Sequence, residues 1–234
     1  MNIGLFTDAY YPLINGVTVS TQTLADFLTA RGHNVYIFAP DSPKKPKGEK
    51  NVIRMPSLPI NMVKNARVGL AYSPTALKKI VSLKLDIIHT QTEFPLGIFG
   101  KVFSKTMNIP LVHTYHTMYE DYVHYIAHGH IVKPGFAKKY SEIFCNYANA
   151  VVAPTEKTKR YLLSYGVRKK ISVIPSGIDL AHFRRSNFTR EEILALRKTY
   201  GLAPDTPVIL SLGRVAKEKS IDVVIDAMPA LRCV

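Results

Sequence analysis

Cysteine is nearly missing from this 234-residue chain: Cys145 and Cys233 are the only two, and they form no C-x-x-C pair. A disulfide scaffold is excluded, and the usage fits a reduced, cytosolic protein with one buried thiol. No apolar run approaches the roughly 20 residues of a membrane-spanning helix. The N-terminus does not read as a signal peptide, because Asp8 interrupts it early and no basic region precedes it. Any encounter with a membrane is therefore expected at its surface. Acidic residues are also scarce, 17 against 31 Lys and Arg, for a formal net charge of +14. That excess favours an anionic partner (nucleic acid, an acidic membrane surface or a phosphorylated ligand) without choosing among them. RNP, KH, zinc-finger and helix-turn-helix signatures are missing, which argues against nucleic acid. His124, His128 and His130 have neither an HExxH pattern nor a Cys partner, which argues against a metal.

What is present is an ordinary globular balance, 47% hydrophobic and 21% charged. At roughly 150 residues per domain the length corresponds to about one and a half domains. Asn2 to Phe6 is a short apolar run, followed by a polar loop from Thr7 to Gly16, an apolar helical stripe through Val17, Leu24, Phe27 and Leu28, and a strand at Val35 to Ala39. This reads as a βαβ unit. Strands then alternate with helices: Val52 to Met55, Pro74 to Leu83, Leu85 to His89, Leu96 to Met107, Leu111 to Thr114, Ala150 to Ala153, Glu156 to Tyr165 and Ile171 to Ile174. The alternation predicts an α/β, Rossmann-like, doubly wound parallel sheet over residues 1–186, with ligands at the C-terminal ends of the strands. A second unit is expected over 187–234. It has a capping box at Thr189 and Glu192, a linker at Pro204 to Pro207, a strand at Val208 to Leu212 and a helix ending near Met228. One strand and one helix cannot bury their own apolar faces, so this unit reads as the beginning of a further domain. Segment 43–85 carries ten Lys and Arg residues against Glu49 alone and, around Pro43, Pro46, Pro56 and Pro59, is expected to be loop.

Four loops could carry chemistry. In Tyr11-Pro-Leu-Ile-Asn-Gly-Val17, a glycine at a strand-to-helix junction lets a ligand approach the backbone and the helix N-terminus; the same residues also suit a plain turn, and the loop is not a GxGxxG. In Val112-His-Thr-Tyr-His116, His113 lies in the strand as a core or edge residue, whereas His116 is placed to face a cleft. Ile174-Pro-Ser-Gly-Ile-Asp179 is a turn or a ligand loop. In Leu212-Gly-Arg-Val-Ala-Lys-Glu-Lys219, Arg214 and Lys219 suit a diphosphate or form a solvated charge run.

Taken in order, these segments resemble glycosyltransferase family 4, the retaining enzymes of the GT-B fold. The resemblance covers the whole chain. It rests on Asn2 to Gly16, Arg31-Gly-His33, His89 to Pro95, His113-Thr-Tyr-His-Thr117, Ile174 to Asp179, and Gly213-Arg214 with Glu218-Lys219. Within the family, Asn15-Gly16 and Tyr115 to Tyr125 are similar to the bacterial 1,2-diacylglycerol 3-glucosyltransferases. The resemblance implies a UDP-sugar as co-substrate and donor, no metal, and a lipid acceptor. Gly16, His116, Ser176, Arg214 and Lys219 would be on the donor side. His116 would contact the sugar, and Arg214 and Lys219 would stabilise the departing nucleotide. Asp8, Tyr10, Asn15 and Arg67 are the acceptor-side candidates. The implied location is cytoplasmic, peripheral on the inner face of the membrane, with segment 43–85 against anionic lipid. The family carries a Glu-x7-Glu motif in a complete second domain, and no two Glu residues here are eight apart. The chain is therefore expected to be C-terminally cut short and, alone, inactive or nearly so. Two other readings remain: a basic membrane- or nucleic-acid-binding module without catalysis, and a family 4 transferase acting on a soluble sugar. The tyrosines at 115, 119, 122 and 125 suit either a sugar site or a core.

Overall fold

The computed structural model describes residues 1–60, 66–70, 74–118, 134–178, 180–213, 215 and 219–231. The chain divides into two compact units, Met1–Ile178 and Asp179–Val234. In the first unit, seven strands form one parallel sheet: β1 (Asn2–Phe6), β2 (Asn34–Pro40), β3 (Val52–Met55), β6 (Ile87–Thr90), β7 (Leu111–Thr114), β8 (Ala150–Ala153) and β9 (Ile171–Val173). The spatial order is β3-β2-β1-β6-β7-β8-β9. The chain runs outward from β1 to β3, then returns to the other side of β1. The order thus reverses between β1 and β6, and a crevice opens there beyond the strand ends.

Residue alternation explains why this sheet is buried on both faces. Ile3 and Leu5 of β1, with Val35, Ile37 and Ala39 of β2, join one apolar cluster that includes Ala25 and Leu24 of α1 (Gly16–Ala30). Phe6 and Phe38, the intervening residues, join a second cluster. Their rings stack at 4.2 Å. That cluster takes in Ala76 and Ile80 of α2 (Pro74–Ser82), Leu96, Phe99 and Phe103 of α3 (Pro95–Met107), Cys145 of α4 (Pro134–Tyr147), and Leu162 of α5 (Glu156–Ser164). A period of two with both phases apolar is the pattern of a strand covered on both sides. Cys145 is a free, buried thiol, and burial pushes its pKa up.

Helix α3 approaches the sheet unusually closely. A Cβ at Gly97 would lie 1.8 Å from the Thr92 carbonyl oxygen, and one at Gly100 would lie 2.8 Å from the Phe6 ring. Glycine is needed at position 97 by contact with backbone, which cannot yield as a side chain can.

Two expectations are corrected. The proline-rich region holds a short antiparallel hairpin, β4 (Ser57–Pro59) with β5 (Arg67–Gly69), where loop was expected. Arg67 ties it together, donating from its guanidinium to Ser57 Oγ at 2.8 Å and Ser57 O at 2.7 Å. In the second unit, Val208 to Leu212 is not a strand. Its residues are exposed, Leu212 at 93%. A strand satisfies its amides and carbonyls by pairing, and among the described residues of this unit there is no strand to pair with. The unit does contain α6 (Arg190–Thr199), with the expected Thr189–Glu192 capping box, and α7 (Ile221–Leu231).

Gly97→Ala should therefore destabilise the first unit by about 2 kcal/mol or more. Gly16→Ala, where a Cβ would meet nothing within 4 Å, should stay within about 0.5 kcal/mol of wild type. Urea unfolding measures both, and equal effects would contradict the close approach of α3.

Candidate active site

The loops that follow β1, β6 and β7 converge on the crevice. After β1, Asp8 is half-buried. Its carboxylate accepts from the amides of Leu96 (3.1 Å) and Gly97 (3.3 Å) and from Thr92 Oγ1 (2.7 Å). Thr92 Oγ1 in turn accepts from the Asp8 amide at 2.9 Å. Phe94, the residue preceding α3, makes no side-chain cap. Asp8 supplies that cap from another strand, satisfying amides a helix start leaves open. Burial raises its pKa against these hydrogen bonds, which lower it.

Tyr10 donates its hydroxyl to Gln22 Oε1 and lies under the Arg54 guanidinium. Burial, with Glu49 nearby, pushes its pKa up to about 12. Asn15 is the N-cap of α1, its side-chain oxygen accepting from Thr18 N at 2.9 Å. The amides of Gly16 and Val17 remain as the outward donors of that first turn. Gly16 has open space around it and no left-handed φ, so packing does not demand glycine there. All four acceptor-side candidates, Arg67 included, thus make hydrogen bonds within this unit.

Three histidines sit along the strand ends. His89 is half-buried, its Nε2 2.7 Å from Thr114 Oγ1, and burial, with His113 and His116 adding to it, lowers its pKa to about 3. His113 has 0% exposure and is the satisfied core residue expected of its place in the strand. Its Nε2 is 3.0 Å from Glu93 Oε1 and its Nδ1 2.9 Å from Thr90 Oγ1. His116 lies just past β7, with Nε2 2.8 Å from Gln91 Oε1. Burial lowers its pKa to about 4 over the opposing attraction of Glu93. The ring is neutral near pH 7. Nε2 donates to the Gln91 carbonyl oxygen, and Nδ1 keeps a lone pair for a donor such as a hydroxyl. Gln91 is only 1% exposed, and its amide nitrogen has no hydrogen-bond partner among the described residues.

Gln91, Thr92 and Glu93 were not singled out from the sequence, although they lie within the His89 to Pro95 segment. Their signal was a run of polar residues directly after an apolar strand. Tyr140, whose hydroxyl donates to the Glu93 carbonyl oxygen, closes the back of this group from α4. No group of three or more metal-ligating side chains comes together among the described residues.

Ser176 lies exposed in the loop after β9, whose Gly177 would place a Cβ 3.6 Å from Thr23 of α1. Lys219 belongs to the other unit, exposed and beside Gly213. Arg214, Asp179, Tyr119, Tyr122, Tyr125 and the histidines at 124, 128 and 130 lie outside the described residues. Beside β3, an open groove of about 970 Å³ is lined by residues including Lys45, Lys47, Glu49, Arg54 and Lys79.

The sequence pattern described as Glycosyltransferase Family 4 matches residues 14–182. The chain belongs to glycosyltransferase family 4. Within the family it is 40% identical over 97% of its length to alpha-monoglucosyldiacylglycerol synthase from Streptococcus pneumoniae, covering 52% of that protein. It is 36% identical to the protein of the same name from Acholeplasma laidlawii over 97% of its length, covering 59% of that protein. The chain therefore spans about half the length of these relatives. Its fold is similar to sucrose-phosphate synthase from Thermosynechococcus elongatus (TM-score 0.68, 18% identity, 97% of this chain and 59% of that one). It is also similar to the catalytic domain of starch synthase IV from Arabidopsis thaliana (TM-score 0.58, 16% identity, 98% and 65%). The Rossmann-like sheet of this family 4 chain is thus that of GT-B glycosyltransferases.

The buried imidazoles make stability depend on pH. Both folded pKa values lie below the ordinary 6.5, so the unfolded chain takes up protons first as pH falls. Stability should be full above about pH 6.5 and decline toward about pH 4, by about 1.4 kcal/mol per pH unit for each histidine. Asp8, shifted upward, has the opposite sign and softens the loss at the acid end. Urea unfolding between about pH 7 and pH 4.5, with NMR titration of His116, checks this. An unshifted His116 would contradict the burial assigned to it.

Proposed function

We propose that this chain is the acceptor-binding part of a hexosyltransferase that moves a sugar from a UDP-sugar, with retention, to a membrane lipid, with diacylglycerol as the acceptor. The observation that supports the reading is His116, held by Gln91 just past β7 with its pKa lowered by burial, in a chain 40% identical to an alpha-monoglucosyldiacylglycerol synthase.

Each side chain has a role in this scheme. The Gly16 and Val17 amides face the donor diphosphate, and the missing Cβ at Gly16 leaves room for its oxygens. His116 accepts a hydrogen bond from a donor-sugar hydroxyl at Nδ1, with Gln91 holding the ring. Ser176 lines the donor side. Arg214 and Lys219 stabilise charge on the departing nucleotide, an electrostatic contribution that takes the place of a metal. The departing diphosphate and the attacking lipid hydroxyl share one face of the sugar, so no protein nucleophile is needed. Asp8, Tyr10, Asn15 and Arg67 lie on the acceptor side, each held by hydrogen bonds within the unit. The basic 43–85 segment, including the groove beside β3, faces anionic headgroups, each cation near the surface contributing on the order of 1 kcal/mol.

In the whole protein, His116→Ala should lower turnover about 100-fold, the scale of losing one well-placed polar contact in the transition state. Wild-type turnover would remove His116 from the site. UDP-glucose should raise the melting temperature of the whole protein while an oligonucleotide does not. The reverse pattern favours a nucleic-acid-binding module.

Affinity of this chain for vesicles containing anionic lipid should fall steeply as ionic strength rises through about 0.15 M, where the Debye length drops to about 8 Å. Salt-independent binding would exclude electrostatic docking.

A further inference from the structure

Helix α3 has an unusual outer face. Its inner side is buried against the sheet through Leu96, Phe99, Gly100 and Phe103. A surface helix ordinarily turns charged residues outward opposite such a stripe. Here Ile98 is 40% exposed and Val102 55%, one turn apart on the outward side. The charged residues among them are Lys101 and Lys105, and α3 contains no acidic residue. The pattern continues on α4. Lys101 Nζ lies 4.2 Å from the Tyr147 ring centre and 5.3 Å from that of Phe144, which joins the two helices side by side. On α4, Phe136 is 66% exposed and Ile143 54%. The one acid of α4, Glu142, is paired with Lys139 at 2.7 Å.

We propose that the outer face of α3, with the adjoining flank of α4, docks on an anionic lipid surface, Ile98 and Val102 entering the headgroup–acyl boundary while Lys101 and Lys105 remain at the phosphates. The inference rests on the lipid-acceptor reading above and adds to it a surface distinct from segment 43–85. Charge decides the occupant. A second copy seated on this face by a two-fold axis would set these lysines against their own mates, whereas an anionic bilayer supplies the opposite charge along with an apolar layer. Lysine stems lying along apolar surface with their ammonium groups in the headgroup region are the arrangement such an interface favours. The inner residues of α2 share the cluster that buries α3, and Lys79 of α2 is exposed. The basic segment and the apolar face thus belong to one layer of helices.

The chain has no tryptophan, so a single introduced one reports on its own surroundings. The test is flotation of this chain with vesicles of equal phosphatidylcholine and phosphatidylglycerol. Wild type is compared with Ile98→Asp/Val102→Asp, beside fluorescence of Ile98→Trp and, on the opposite side of the sheet, Thr29→Trp. Melting curves verify folding, and the Trp variants remain informative should the Asp pair unfold. Expected is about a tenfold or greater loss of binding for the Asp pair, with a blue shift and quenching by brominated lipid at position 98 but not at 29. If wild type binds while the Asp pair binds equally and the indole introduced at position 98 stays in water, this proposal is overturned and the lipid-acceptor reading stands. If wild type binds no vesicle, both fall. If the Asp pair instead abolishes a dimer seen without lipid, the face is an interface between copies and the proposal is overturned.

Discussion

The crevice depends on one carboxylate reaching across the switch point of the sheet. Helix α3 starts at a proline and has no cap of its own, so its first amides need an acceptor from elsewhere. Asp8 supplies it because parallel pairing of β1 with β6 sets Phe6 beside Thr90, which brings the next residues of each strand together. Thr92 exchanges hydrogen bonds with Asp8, and Gly97 lets the helix settle onto the Thr92 carbonyl. Strand register, helix start and loop path are therefore a single condition, and the positions of Gln91 and Glu93 follow from it. A longer side chain at 97 or a shorter one at 8 would move the whole β6–α3 turn, and with it the partner of His116.

The second constraint is desolvation. Histidines 89, 113 and 116 crowd the ends of adjacent strands, and burial outweighs the pull of Glu93 on His116. Each ring is held by at least one side-chain partner, and His113 alone of the three is fully enclosed. A ring held neutral in this way accepts or donates hydrogen bonds but carries no charge to place against a leaving diphosphate.

Legibility in the sequence followed the range of the interaction. Strands β1, β2, β3, β7 and β8 could be read because alternation and flanking turn residues are local, and the Thr189–Glu192 box because its partners are three residues apart. The role of Asp8 could not, since its partners lie 84 to 89 residues away. Seen alone it is a polar residue at a strand end, the usual look of a ligand contact. The β4–β5 hairpin was hidden by Pro56 and Pro59, which read as loop when the pairing that accommodates them is unknown. Val208 to Leu212 failed in the other direction. Its composition suits a strand, but pairing is a property of two segments, and no second strand is described in that unit. His116 was legible as a site residue from its position just past a strand, whereas Gln91 gained its meaning only from the distance between them.

The excess of positive charge also resolves into different uses. Arg54 is held by Glu49 and lies over Tyr10, Arg67 stitches a hairpin, and Lys45 pairs with Asp41 at 2.6 Å. These cations are structural and cannot be counted fully toward a surface field. Of the others, Lys78 and Lys79 lie on α2 and Lys101 and Lys105 on α3, two helices without an acidic residue. Electrostatic attraction alone would leave such a face at a distance set by screening, sensitive to salt and indifferent to depth. Adding exposed isoleucine and valine to the same face changes the kind of contact, because apolar area is rewarded only after the headgroup layer is entered. A long-range field that gathers the protein to a bilayer and a short-range apolar contact that fixes its depth are separate requirements. Helices α2 and α3, sharing one core and one side of the sheet, place the residues for both within a single surface.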